Sequence, residues 1–331
     1  SSRELFSANS NRSDDKQKSF VSIYHTMKKA GALRIRKIGI VIKHHQPEAA
    51  VLAGQVTEFI LAQGKSVFFA EEAQLLAKGL AKTLRAGKKV QTVAKHSLAE
   101  VCDLIVVLGG DGTFLSIARQ MKKQSIPIMG VNMGQLGFLT EISREEAIPT
   151  LQQLFDGVPP IYTERPLLEV TLLRKNKTVF QGPVVNDAVI SKGAIARIIG
   201  MDLWVNDKWV NYLRADGIIV STTTGSTAYA LAAGGPIVEP SVSALVVAPI
   251  CPHSLTLRPL VIPESSEVKI CLNDRPGHVL LTLDGQDVVT MREHDIVTIK
   301  RFKKHSLKII AFPTRDYFSI LREKLKYGAR D

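Results

Sequence analysis

The run Leu104-Ile105-Val106-Val107-Leu108 leads straight into Gly109-Gly110-Asp111-Gly112-Thr113, and this junction restricts the fold more than any other stretch of the chain. The run is short, continuous and β-branched, the pattern of a strand buried on both faces. Phe114, Leu115, Ile117, Ala118 and Met121 then recur at helical spacing. The glycines therefore form a strand-to-helix turn at the carboxyl end of a parallel strand, where open α/β sheets bind ligands. Glycine lets a backbone approach a ligand closely, and free N–H groups at a helix start attract anions. A carboxylate in such a turn repels phosphate unless it has a task, such as holding a metal ion or accepting a proton. Asp111 would serve equally as a turn former or N-cap. The pentapeptide alone leaves both readings open.

The flanking pattern supports a parallel sheet. Lys37 to Ile42 reads as a strand, and Pro47-Glu48 suits the first turn of a helix that stops near Gly64. Ser66 to Phe69 and Ile126 to Val131 read as further strands. The second of these runs into another Gly-rich loop, Asn132 to Gly137, and a helix is expected from about Arg144 to Phe155. Strands alternating with helices imply βαβ units.

Beyond Gly157-Val158-Pro159-Pro160 the texture changes to closely spaced β-branched runs, including Leu167 to Leu173, Val179 to Ile190, Ile198 to Val205, Val268 to Leu272 and Leu307 to Phe312. One clear helix is expected among them, around Ser226 to Ala232. The expected organisation is a polar basic extension over 1–35 and an α/β nucleotide-binding domain over 36–158. A β-rich, mostly antiparallel domain over 159–312 follows, and an amphipathic helix and tail over 313–331 packs back on the body.

Composition excludes several classes. No run reaches the roughly 18–20 apolar residues of a membrane span, so no membrane partner is expected. Cys102, Cys251 and Cys271 are scattered, with no metal-ligand or disulfide spacing, which fits a reducing, cytoplasmic setting. The formal net charge of +12 suits anionic partners. No aromatic-interleaved basic stripe accompanies it, so nucleic acid is not expected.

Two further stretches carry chemistry. Ser221-Thr222-Thr223-Thr224-Gly225-Ser226 joins a strand to a helical turn, and four consecutive hydroxyl residues exceed what one cap needs. Ligand contact is the favoured reading. Asn186-Asp187 interrupts an apolar strand pattern, and burying such a pair is costly without partners. Ribose hydroxyls would satisfy both side chains, and an exposed edge or bulge would also explain them.

Taken in order, Gly109 to Thr113, Asn132 to Leu139, Asn186-Asp187, Asp216-Gly217 with Ser221 to Tyr229, and Gly234-Gly235-Pro236 resemble the NAD kinase family. Pro252 to Leu255, Arg258 to Leu260 and the Tyr317 to Gly328 tail are similar as well. The likeness runs from about residue 37 to 328. It implies a Rossmann-like parallel sheet followed by an all-β domain. It also implies transfer of the terminal phosphate of ATP, or of polyphosphate, to the 2′-hydroxyl of the adenosine ribose of NAD. Asp111 would then be the catalytic acid/base residue and a possible metal contact. Gly109, Gly110, Gly112 and Thr113 would cradle phosphates. Asn186 and Asp187 would hold ribose hydroxyls, while Asp216, Thr227, Ala228 and Tyr229 contact the dinucleotide and Arg214 lies near the added phosphate. A divalent ion such as Mg²⁺ and a homodimer or homotetramer are further implications. Asp187 stands where the family usually has Glu, and Thr223 where Pro is frequent.

Two other readings compete. A diacylglycerol-type lipid kinase shares the Gly-Gly-Asp-Gly-Thr turn but should lack the Gly225 to Tyr229 block. A non-catalytic dinucleotide sensor would have no need for Asp111.

Overall fold

The computed structural model describes residues 28–29, 33–43, 46–71, 89–121, 126–193, 197–273, 278–311 and 315–327. Most of the basic extension, the expected helical stretch before Lys89, and Gly328 lie outside the described residues.

Three sheets organise the chain. The first has eight strands in the spatial order Lys28–Lys29, Ile161–Arg165, Leu307–Ile310, Ile128–Asn132, Leu104–Gly109, Lys37–Ile42, Ser66–Ala70 and Val90–Val93. Its five strands from Ile128–Asn132 to Val90–Val93 are mutually parallel. Alternate residues of the central strand go to opposite faces: Leu104, Val106 and Leu108 join one core cluster, and Ile105 and Val107 join another. Helix Pro47–Ala62 covers the first face through Leu52, Val56 and Ile60. Helix Asp111–Ala118 covers the second through Phe114 and Ile117, both fully buried. Each such side chain contributes about 1.5–3 kcal/mol by leaving water.

The other two sheets have six strands each and are antiparallel. One runs Lys208–Ala215, Ile199–Val205, Val268–Leu272, Ile296–Arg301, Leu168–Arg174, Lys177–Val184. Its partner runs Leu260–Pro263, Ala244–Ile250, Gly217–Thr222, Asp187–Lys192, Val279–Leu283, Asp287–Met291. Leu168, Val170 and Leu172 from one and Ile190, Val220 and Leu281 from the other fill a shared core, so the pair forms a sandwich.

Several details differ from the sequence reading. Strand Leu307–Ile310 lies not in the sandwich but in the first sheet, parallel to Ile128–Asn132. Strand Ile161–Arg165, beside it, joins that sheet too. The Val179 to Ile190 run is two strands in two different sheets, with Asn186 at the crossing. The helix expected from Ser226 is a 3₁₀ turn, Gly225–Thr227, followed by the four-residue helix Tyr229–Ala232. The C-terminal helix Tyr317–Leu325 packs back through buried Ile320 and Leu321. Among the described residues no helix is long and apolar enough to cross a membrane.

Candidate active site

The Gly109 to Thr113 turn sits where the sequence puts it, at the end of the central parallel strand. A side chain at Gly110 or Gly112 would meet nothing within 4 Å, so that face of the turn is open to a ligand. Gly110 occupies the N-cap position without a side-chain cap bond. Asp111 does not cap the helix either.

The Asp111 carboxylate instead reaches across to the second Gly-rich loop. Its Oδ2 accepts from the Phe138 N–H and its Oδ1 from the Leu139 N–H, both at 3.0 Å. The Thr140 hydroxyl lies 3.4 Å from Oδ1. From the C-terminal helix, Lys324 Nζ donates to Oδ2 at 2.5 Å. Gly137 is what allows the approach: a Cβ there would stand 2.1 Å from Asp111 Oδ1.

Asn186 and Asp187 lie at the point where the chain crosses between the sandwich sheets. Backbone N–H groups of Val185, Asn186 and Asp187 all donate to one carboxylate, Asp284, with Asn186 at 2.7 Å and Asp187 at 3.1 Å. Three consecutive donors aimed at one anion pull this backbone out of the ladder, which is why the apolar run breaks here. Arg119, from the end of the turn's own helix, places Nε 3.7 Å from Asp284 and pairs with Asp287. Burial pushes the Asp284 carboxyl up, and the three N–H bonds and Arg119 act against it.

Asp187 is 4% exposed. Burial, reinforced by the neighbouring Asp284 charge, pushes its carboxyl up to about 7. Asn186 Oδ1 is buried with no protein partner, as are Thr223 Oγ1 and Thr224 Oγ1. Unpaired buried acceptors and hydroxyls cost stability unless a ligand satisfies them.

A cavity of about 340 Å³ opens here, lined by Asn186, Asp187, Ala228 and Tyr229, with Asp284 and Gly285 on its wall. Tyr229 is half exposed at its mouth. Gly225 packs directly on Asn186, since a Cβ there would lie 2.3 Å from the Asn186 carbonyl oxygen. Thr227, in the same turn, bonds back to the Thr224 carbonyl. The next residue after Gly285, Gln286, donates through Nε2 to the Gly112 carbonyl at 3.2 Å. The cavity and the Asp111 turn are thus joined through one short loop.

Arg214 and Asp216 are not brought to this cavity. Asp216 pairs with Lys192 at 2.8 Å, at the far end of the strand that begins at Asp187. The cavity's lining follows that strand through Val189 to Ser191 and stops one residue short of Lys192. Arg214 is exposed beside it. Asp284, Gln286, Arg119 and Lys324 were not singled out by the sequence. The turn Asp284-Gly285-Gln286 after an apolar strand carried a weak signal for the first two, and nothing local marked Lys324.

Family models match most of the chain: the ATP-NAD kinase N-terminal domain over residues 38–158 and the ATP-NAD kinase C-terminal domain over residues 185–311. An NAD kinase of Solibacter usitatus is 40% identical over 296 residues, which is 89% of this chain and 99% of the relative. An NAD kinase of Geobacter metallireducens is 42% identical over 297 residues, 89% of this chain and all of the relative. Among solved structures, yeast NADH kinase complexed with NADH superposes with a TM-score of 0.80 at 24% identity, covering 92% of this chain and 93% of that one. An NAD kinase from Archaeoglobus fulgidus in complex with ATP gives 0.61 at 23% identity, covering 87% and 99%. These two likenesses concern the fold alone.

Proposed function

The chain belongs to the ATP-NAD kinase family, and from that premise we propose how its site carries out the reaction. The protein phosphorylates NAD to NADP, taking the phosphate from ATP as its family does. The observation that carries the site assignment is the short loop that joins the Asn186-Asp187 cavity, through Gly285 and Gln286, to the Gly112 carbonyl. A ribose held in that cavity would stand beside the Asp111 turn.

In this reading Asn186 and Asp187 take ribose hydroxyls, the chemistry that the unpaired Asn186 Oδ1 and the buried Asp187 carboxyl call for. Ala228 and Tyr229 border the adenosine, with Thr227 behind them. Gly110 and Gly112 offer an open backbone face to phosphate oxygens, and Gly109 and Thr113, packed on each other behind it, complete the proposed cradle. Asp111 takes the proton of the 2′-hydroxyl as the new O–P bond forms. A ribose hydroxyl is a poor nucleophile near neutral pH, and a positioned carboxylate is worth roughly 10²–10⁴-fold in rate. Phosphoryl transfer otherwise asks the protein mainly for positioning and charge neutralisation. Asp216 is proposed to contact the dinucleotide, and Arg214 to lie near the added phosphate.

Among the described residues no group of three or more His, Cys, Asp or Glu could hold a metal ion. A divalent ion, Mg²⁺ in this proposal, would therefore be held mainly by the phosphate oxygens of ATP, with Asp111 as the turn's own carboxylate. When bound it would neutralise phosphate charge. A homodimer or homotetramer is proposed on the family likeness, and the exposed Trp209, Val210 and Tyr212 on an edge strand suit a subunit contact. A reducing, cytoplasmic setting is proposed from the three free cysteines, of which Cys102 is buried.

The test is ADP release from ATP with NAD or diacylglycerol as acceptor, followed by identification of the phosphorylated product. NADP formation with no turnover on the lipid is expected. Lipid phosphorylation, or NAD binding without turnover, would contradict the assignment.

A further inference from the structure

Both oxygens of Asp111 are already met by donors. An ionised carboxylate has about four lone-pair directions. In this structure Phe138 N–H and Lys324 Nζ meet Oδ2, while Leu139 N–H and the Thr140 hydroxyl meet Oδ1. The Phe138 and Leu139 donors are backbone groups of a loop whose Leu139 side chain is buried. Lys324 is the donor on a long flexible stem, and 32% of its side chain remains exposed. It is therefore the group that can leave Oδ2 for an incoming hydroxyl.

Where it would go is limited by the same geometry. Lys324 Nζ lies 4.7 Å from the Phe138 ring centroid, so an aromatic face holds the cation close after it leaves the carboxylate. The preceding residue, Glu323, lines an open space of about 340 Å³ with Asn132, Gly134, Leu136, Arg144 and Arg315. That space has room for a phosphate chain, and its wall carries two arginines, Arg144 and Arg315, together with two carboxylates, Glu145 and Glu323. A three-donor ammonium one short swing from the base is in range of the phosphoryl group that the base's substrate attacks.

We propose that Lys324 is a further catalytic residue of this enzyme: it neutralises Asp111 in the free protein and moves to the transferring phosphoryl oxygens when NAD and ATP are bound. The proposal rests on the reading of Asp111 as the base. In the step itself the 2′-hydroxyl proton passes to Asp111 Oδ2 and the 2′-oxygen bonds the γ-phosphorus. The bond from that phosphorus to the β–γ bridging oxygen breaks, and ADP leaves with the electron pair. Lys324 transfers no proton. It offsets charge on the three equatorial oxygens, as cationic clamps do in phosphoryl transfer. The helix that carries it has its own anchors: Asp316 caps Ser319 N–H at 2.9 Å, Ile320 and Leu321 are buried, and Tyr317 meets Phe138 with ring centroids 6.0 Å apart.

Lys324→Met, Lys324→Arg and Asp111→Asn are compared by steady-state kinetics with NAD and ATP, by NAD calorimetry and by thermal melting. Lys324→Met should lose roughly 10²-fold or more in kcat, with NAD affinity within about threefold of the parent and the melting transition retained. Lys324→Arg, which keeps the charge, should recover at least tenfold of that loss. If Lys324→Met turns over at or above the parental rate, the lysine only restrains the base and the proposal is wrong. If both lysine variants lose turnover and NAD affinity together, or fail to fold, its role is structural and the proposal is equally wrong. A slow Asp111→Asn beside a normal Lys324→Met would reject the lysine alone, and a normal Asp111→Asn would reject the base.

Discussion

Asp187 and Asp284 are tied to each other twice through the backbone. The Asp187 N–H donates to the Asp284 carboxylate at 3.1 Å, and the Asp284 N–H donates to the Asp187 carbonyl at 3.0 Å. One carboxylate proposed for the ribose is therefore positioned by a second that stands behind it. Asp284 itself adopts a left-handed backbone, with φ of 50°, which turns its side chain under the Val185 to Asp187 segment.

Asp284→Ala is expected to cost about 3–5 kcal/mol, the range for breaking a buried charged pair. It strands three backbone donors and leaves Arg119 with Asp287 as its remaining carboxylate partner. Asp284→Asn keeps the shape and should cost less, while raising the KM for NAD. Urea denaturation of both variants measures this. A loss below about 1 kcal/mol in the alanine variant would mean that water replaces the carboxylate without consequence.

The raised Asp187 carboxyl makes stability depend on pH. In the unfolded chain this group ionises in the ordinary carboxylate range, and in the folded protein near 7. Between about pH 4 and pH 7 the folded state holds the extra proton, so this group's contribution is full below pH 4 and is lost as pH rises through 7. The slope reaches at most about 1.4 kcal/mol per pH unit. Asp187→Asn should flatten it. Denaturation midpoints at pH 5 and pH 8 suffice: equal pH dependence in parent and variant would contradict the burial argument.

Gly225→Ala tests the contact between the hydroxyl-rich turn and the ribose pair. The new Cβ would meet a backbone oxygen, that of Asn186, at 2.3 Å and Ser221 Oγ at 2.5 Å. The turn must move off Asn186, at a cost of about 1–3 kcal/mol for overpacking. The KM for NAD should rise about tenfold or more, equivalent to at least about 1.4 kcal/mol. Unchanged kinetics would show that the turn and the pair act independently.

Tyr229→Ala should raise the KM for NAD more than that for ATP. The ring stands half exposed at the mouth of the Asn186-Asp187 cavity, and its loss removes binding common to ground and transition states. Initial rates with each substrate varied in turn decide this. Equal effects on both would move the ring to a shared boundary.

The central strand and its turn were legible because burial on both faces leaves a continuous apolar signature and the helix behind Thr113 shows its period at once. The polar pair at Asn186 was legible as an interruption, but not as a change of sheet. Val184-Val185 and Ala188 to Ile190 are equally apolar on either side of the break, and the carboxylate that causes it is 97 to 99 residues away. Strand Lys208–Ala215 is an edge whose first half is exposed, and only Leu213 and Ala215 at its end alternate inward, too short a pattern to mark a strand. Strand Leu307–Ile310 was seen but assigned to the wrong sheet, since a buried four-residue run looks the same in either. Lys324 lies 213 residues from Asp111 on a helix rich in surface charge, where one more lysine carries no signal.

Asp111→Asn addresses the role of the acid in the turn most directly. The change keeps the size of the side chain but removes the charge and the proton-accepting oxygen that faces Lys324. Turnover with saturating NAD and ATP is expected to fall by roughly 10²–10⁴-fold. NAD affinity by calorimetry should stay within a few-fold, because the Asn186-Asp187 cavity is built by other strands. Turnover within a few-fold of the parent protein would remove Asp111 from the chemistry and leave it as the residue that ties the two glycine loops together.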